Sequence, residues 1–259
     1  MQDRRLSHIK DGQERIELSA LLDRADRVSE RMTPEVSGFV SPRIAQLAAG
    51  ILTGVRGIRF RLEGGFGDAE RCRILIWPDE TWAEEPDPET VLIRMEPRGP
   101  LAGSPGHRDY MGALLGLGIS RDRLGDIRAD EDGAVVAADR AMGEYILANL
   151  TSAGKTPLRV CFTDRGDQGS QEPETVEISV SSMRLDTVLA RGFHLSRQEA
   201  EQKIRGEQVK LNWKTETRSS APVEPSDLIS CRGSGRLRIL EMAGTSRKGK
   251  IRVIVSRNA

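Results

Sequence analysis

The chain has 259 residues, with 39 Lys and Arg against 39 Asp and Glu, so it carries no net charge and is long enough for two or three modest domains. Its longest apolar or glycine run, residues 111–119, falls short of the roughly 20 residues of a membrane helix. The N-terminus lacks the pattern of a secretion signal, and three dispersed cysteines, Cys72, Cys161 and Cys231, speak against a disulfide framework or a zinc site. A soluble cytoplasmic chain with reduced thiols is expected.

At the N-terminal end, Leu18, Leu21, Leu22, Ala25 and Val28 recur at three- and four-residue steps, predicting a helix over about 14–31. Thr33-Pro34 and Ser41-Pro42 each set a capping hydroxyl before a proline, which predicts a helix start at both. After the second, Ile44, Leu47, Ala48, Ile51 and Leu52 repeat the stripe. Ile58, Phe60 and Leu62 then alternate with Arg59 and Arg61, the pattern of a half-buried strand. Residues 1–70 therefore read as an N-terminal helical region with a strand.

From 71 to 168, strands and helices alternate. RCRILIW and TVLIRMEP read as strands, HRDYMGALLGLG as a helix, LGDIRAD and GAVVAAD as strands around an acidic turn, RAMGEYILANL as a helix and PLRVCFT as a strand. Setting the first strand aside leaves strand, helix, strand, strand, helix, strand, the order of a ferredoxin-like (RRM-like) α/β sandwich. Many unrelated functions use that fold. Gly154, after the second helix, reads as a helix stop, and the Gly-, Asp- and Gln-rich residues 165–175 as a linker.

The last block, 176–259, carries the charge. Residues 1–180 hold 23 cationic and 31 anionic side chains, whereas 181–259 hold 16 and 8. A basic module on an acidic body points to nucleic acid; its cations are spread over helix and strand patterns, unlike the single amphipathic helix of a membrane binder. Leu185, Val188 and Leu189 make a short apolar face that Gly192 would end as a C′ glycine. Ser196 and Glu199 form Ser-x-x-Glu, a capping box that starts a second helix at Arg197. QVKLNWK reads as one strand with Lys210, Asn212 and Lys214 on one face and Trp213 on the other, where core packing is favoured over base stacking. DLISCRG, RLRILEM and KIRVIVS complete a small sheet, for an α+β chain overall.

Arg-Leu-Asp at 184–186, LSRQEA at 195–200 and VKLN at 209–212 resemble, in order and spacing, the S-four RNA-binding domain of ribosomal and RNA-modifying proteins. Glu207 and Ser226 stand where that family usually has glycine; both fall in expected turns. The whole chain resembles the YlmH-type proteins, also called photosystem II S-four-domain proteins, on GGFGDAERCR at 64–73, HRDYMGALLGLGISRDRLGDI at 107–127 and the tryptophan-bearing VKLNWK. That resemblance implies a non-enzymatic factor that binds ribosomal RNA of the large subunit carrying peptidyl-tRNA, in ribosome-associated quality control; a monomer is expected. The middle block is implied to bind RNA as well.

On this reading Ser196 caps the second helix and its first-turn amides face a phosphate together with Arg197 and Arg184; the plain alternative for Arg197 is a surface pair with Glu201. Lys203, Lys210, Asn212, Lys214, Arg232 and Arg236 are expected to extend one cationic patch, with Arg238, Arg247, Lys248 and Lys250 around flexible glycines. Arg108 is an RNA candidate in the middle block, and Arg71 and Arg73 remain open to RNA contact. Reversing Arg184 and Arg197 to Glu is expected to abolish large-subunit binding with the fold intact.

No catalytic, metal or cofactor set is expected. HRDY at 107–110 lacks the Asn that a kinase loop needs at 114, which is Leu114, and AGKT at 153–156 lacks the first phosphate-loop glycine at 149, which is Asn149. His8, His107 and His194 are scattered. The alternatives to an RNA-binding factor are an RNA-modifying enzyme and an RNA-tethered adaptor that recruits a protein.

Overall fold

A computed structural model describes residues 5–79, 85–99, 103–164, 174–246 and 249–258, with the side chains of 174 and 258 excepted. Arg247, Lys248 and most of the expected linker lie outside the described residues. The chain forms two compact units, Met1–Ser170 and Gln171–Ala259. No helix among the described residues is long and apolar enough to cross a membrane.

The first unit opens with α1 (Gly12–Arg31), whose N-cap Asp11 accepts from the Glu14 amide and whose stripe Leu18, Leu21, Leu22, Ala25 and Val28 is buried. No helix starts at Thr33-Pro34. Met32 closes α1 in the left-handed region at φ 55°, and the chain runs instead into the short strand β1 (Glu35–Val36), anchored where Glu35 accepts from Arg24 and Arg27. Ser41 does cap α2 (Pro42–Leu52), accepting from the Ile44 amide at 3.3 Å. Strand β2 (Ile58–Glu63) pairs antiparallel with β3 (Arg73–Pro78) in a sheet of order β1-β3-β2. Strand β3, read as the opening of the middle block, pairs with β1 and β2 and buries Ile74 and Ile76 under α1 and α2.

Next comes the sandwich. Its elements are β4 (Thr90–Pro97), α3 (His107–Gly116), β5 (Leu124–Asp130), β6 (Gly133–Asp139), α4 (Arg140–Asn149), β7 (Ser152–Ala153) and β8 (Thr156–Thr163). The order β5-β6-β4-β8-β7, antiparallel at every pairing, is ferredoxin-like with an added edge hairpin. Gly154, at φ 57°, makes the turn of that hairpin; α4 has already ended at Asn149. Both helices pack on one face over Ile93, Met95, Ala134, Val136 and Ala138.

In the second unit, β9 (Glu174–Val180), α5 (Leu185–Gly192), α6 (Arg197–Arg205), β10 (Val209–Leu211), β11 (Lys214–Thr215), β12 (Leu228–Cys231), β13 (Gly235–Thr245) and β14 (Ile251–Asn258) follow in turn. The sheet order is β11-β10-β12-β13-β14-β9. Strand β9, partly read as linker, pairs along β14, and Val176, Ile178 and Val180 alternate toward the core. Helices α5 and α6 cover one face of the sheet through Leu185, Val188, Leu189, Ala200 and Ile204, against Val209, Ile229, Cys231, Leu237 and Val253.

Candidate nucleic-acid interface

The ends of α5 and α6 position the site. Leu195 donates its amide to the Ala190 carbonyl at 2.9 Å, the long bond of a Schellman closure. The residue in the left-handed region is His194 at φ 55°, not Gly192. Gly192 is needed for space: a Cβ there would lie 2.5 Å from the Leu237 side chain. The chain then re-enters helix at Ser196, whose hydroxyl accepts from the Glu199 amide at 3.2 Å while Glu199 Oε2 accepts from the Ser196 amide at 2.7 Å. Ser196 is thus engaged as the cap of α6.

Two arginines meet on Asp186, whose side chain is wholly buried. Arg184 donates from Nε to Oδ1 at 3.1 Å and from Nη2 to Oδ2 at 3.0 Å. Arg197 donates to Oδ2 from Nε at 3.3 Å and from Nη2 at 3.0 Å. Thr187 adds its amide and hydroxyl to Oδ1. Burial pushes the Asp186 carboxyl up, but the hydrogen bonds from Arg184, Arg197 and Thr187 outweigh it and hold the group below the usual carboxylate range. Both guanidiniums stay open to solvent, at 42% and 63% side-chain exposure. Each leaves its Nη1 unengaged among the described residues, so the pair can still clasp an outside oxyanion. Arg197 also reaches Glu201 at 3.5 Å, so the plain surface pair exists beside the shared one.

Elsewhere the expected single patch divides. Lys203, six residues and about 9 Å of helix rise beyond Arg197, donates to the Arg232 carbonyl at 3.3 Å, at the β12–β13 turn. Lys210 aligns with Ser230 and Ser230 with Arg236, so these lie on the sheet face away from α5 and α6, as does Arg238. The helix ends and the bare sheet face therefore carry separate cation groups, because strand alternation sends every second residue away from the core.

QVKLNWK is not one strand. Asn212 and Trp213, at φ 49° and 64°, form a two-residue turn between β10 and β11, and Leu211 faces Lys214 across it. Lys210, Asn212 and Lys214 consequently do not share a face; Lys210 and Lys214 project from opposite sides of the ribbon. Asn212 is occupied structurally, donating to Asp227 at 2.7 Å and accepting from the Leu228 amide at 2.9 Å. Trp213 is half-buried at the turn tip rather than set in the core.

In the first unit, the motif at 64–73 is a joint. Arg71 donates to the carbonyls of Phe39, Arg121 and Leu124, and buried Arg73 to those of Ser37, Pro88 and Glu89. Neither is free for RNA. Arg121 is held the same way by the Leu124 and Gly125 carbonyls, and burial pushes its pKa down to about 10. The helix-free face of the sandwich, where an RRM stacks bases, is covered by Phe39 and Phe66 on Val135 and Ala137. Gly125 admits Phe39, since a Cβ there would lie 2.7 Å from its ring. Arg108 stands exposed in the first turn of α3, in a different unit from the other candidates.

Family models match the chain in sequence: "YlmH, N-terminal" over residues 13–81, an "RNA-binding domain in YlmH" over 104–165 and "S4 domain" over 183–229. A protein of Bacillus subtilis (strain 168) named "Ribosome-associated protein quality control protein P2" is 32% identical over 234 residues, 89% of this chain and 90% of the relative. In fold the chain is similar to a solved structure, "Cell division protein ylmH from Streptococcus pneumoniae". The TM-score is 0.54 at 22% identity, covering 62% of this chain and 96% of that one.

Proposed function

The chain belongs to the YlmH family, and on that premise we propose that it is a non-enzymatic RNA-binding factor of ribosome-associated quality control. Its partners are the ribosomal RNA of the large subunit and the peptidyl-tRNA that the subunit carries, which places it in the cytoplasm. The observation that carries this reading is the Arg184–Asp186–Arg197 arrangement: one buried carboxylate holds two exposed guanidiniums at the junction of α5 and α6. A lone arginine would lose side-chain entropy on meeting a phosphate; here two are already held. The first-turn amides of α6 lie beside them and favour an anion.

Affinity on this reading comes from phosphate neutralisation by the second unit, and selectivity from the first unit tethered to it, whose α3 offers Arg108. The covered sheet face supports a contact made through helices or edges in that unit, not by base stacking on its sheet. Co-sedimentation with purified large subunits, with and without peptidyl-tRNA, tests the proposal. Retention is expected on both and tighter on the loaded subunit; equal retention would remove the tRNA from the scheme, and none would remove the ribosome.

A further inference from the structure

Beside the arginine pair lies a depression of about 460 Å³, lined by Ser181, Thr187, Ala190, Arg191, His194, Leu195 and Arg197. We propose that it takes one unstacked nucleotide of the bound RNA. The inference rests on the RNA-binding reading above and names the form of RNA that the site selects.

Four of the lining residues, Thr187, Ala190, Arg191 and His194, follow the i, i+3, i+4, i+7 spacing of one face of α5 and the turn that closes it. The depression is therefore a groove along α5, closed at one end by the start of α6. Its size falls in the range of about 300–1,000 Å³ usual for sites that enclose a small molecule.

Its chemistry is graded. Ala190 and Leu195 offer apolar surface for the face of a base, and the hydroxyls of Ser181 and Thr187 offer hydrogen bonds to a base edge or a ribose. Thr187 donates its proton to Asp186 and its oxygen lies 3.4 Å from the Ser182 hydroxyl, which leaves one lone pair to accept from a base amino group or a 2′-hydroxyl. Arg191 and Arg197 supply the cationic rim, with the His194 imidazole beside them. The side chains of Arg191 and His194 are exposed and form no hydrogen bond or ion pair among the described residues, unlike those of Arg184 and Arg197. Among the described residues no carboxylate lines the groove: Asp186 is buried behind it and matched by its two arginines.

Backbone shape agrees. A glycine or asparagine would close α5 more easily than His194 at φ 55°, and the residue found there puts an imidazole on the rim. A base paired within a helix cannot enter such a groove, because its edge and faces are occupied by its partner and neighbours. An unpaired base can turn out and do so.

The test uses the full chain and two labelled RNA hairpins, identical except for a single bulged adenosine in one, with affinities read by fluorescence anisotropy. The wild-type chain should prefer the bulged hairpin by about tenfold, the worth of one base contact. In Ala190→Leu, which fills the groove, and in Arg191→Glu, an exposed site with no packing role, the preference should fall to near unity. Equal wild-type affinities, or a preference that survives in either variant, would overturn the assignment. So would adenosine monophosphate binding as tightly as the bulged RNA, which would make the groove a free-nucleotide site. Loss of binding to both hairpins by the wild-type chain would overturn the RNA-binding reading itself.

Discussion

Arg184 and Arg197, thirteen residues apart, each place Nη2 at 3.0 Å from the same oxygen, Oδ2 of the buried Asp186. The contact fixes the junction of α5 and α6 and sets the candidate interface, so stability and binding are coupled at this point. That coupling changes how the site should be probed.

Replacing both arginines with Glu is not a clean binding test. It would leave the Asp186 charge buried without a cation and add two more negative groups beside it. Circular dichroism melting of the double variant should show a destabilised second unit. Arg197→Ala keeps Arg184 on Asp186 and should melt near wild type. Its RNA affinity should drop several-fold, and the log-log salt slope should shrink by about 0.7 to 0.9, one phosphate contact. An unchanged slope would place Arg197 outside the interface.

Acid should loosen the second unit. Burial raises the Asp186 carboxyl less than its hydrogen bonds lower it. Glu216, in a hydrogen bond to Arg218 that outweighs its burial, is held down to about 2. Both are depressed carboxylates, so their contributions are complete above the ordinary range, near pH 4, and lost as pH falls through the folded values. Melting temperature should fall between about pH 4 and 2 and recover on return to neutrality. Glu216→Gln should flatten the lower part of that curve; an identical curve would show that the Arg218 contact contributes nothing.

Two turns hold residues that glycine would suit better. Glu207 and Ser226 lie at φ 57° and 75°, where an L side chain crowds its own backbone. Glu207→Gly and Ser226→Gly should each stabilise the chain by up to about 1 kcal/mol by urea unfolding, less the entropy that glycine adds to the unfolded state. A loss of stability would mean that these side chains make contacts worth more than the strain.

Arg73 and Asn212 should behave as structural residues. Arg73→Met removes the donor to three carbonyls in a buried setting and should cost the first unit about 3 kcal/mol or more. Asn212→Ala loses two side-chain bonds and a residue suited to the left-handed region, for about 2 kcal/mol in the second unit. Segment-resolved hydrogen exchange should localise each loss. RNA affinity, measured where the chain remains folded, should stay within about twofold of wild type, as expected of exchanges away from the phosphate contacts; a larger drop would return that residue to the interface.

Much of the architecture was legible because it is written in local spacing. The stripe from Leu18 to Val28, the capping box at Ser196 and Glu199, and the strand-helix alternation between 90 and 163 each depend on neighbours within a few residues. The misreadings share a cause. VKLNWK has period-two alternation, yet Asn212 and Trp213 turn the chain because Asn212 is tied to Asp227 and Leu228, partners 15 and 16 residues away. Thr33-Pro34 has the grammar of a helix start, but Glu35 is drawn to Arg24 and Arg27 on the preceding helix.

By itself the sequence determined most of the segments that are helix or strand, and that the cations gather in the last third. Those follow from periodicity, composition and capping rules that act over one or two turns of chain. Only the tertiary structure decided which cations meet. Asp186 joins Arg184 to Arg197, strand alternation carries Lys210 and Arg236 to the opposite face, and backbone carbonyls claim Arg71 and Arg73. A side chain's charge is fixed by its identity, but its availability depends on what the fold packs around it.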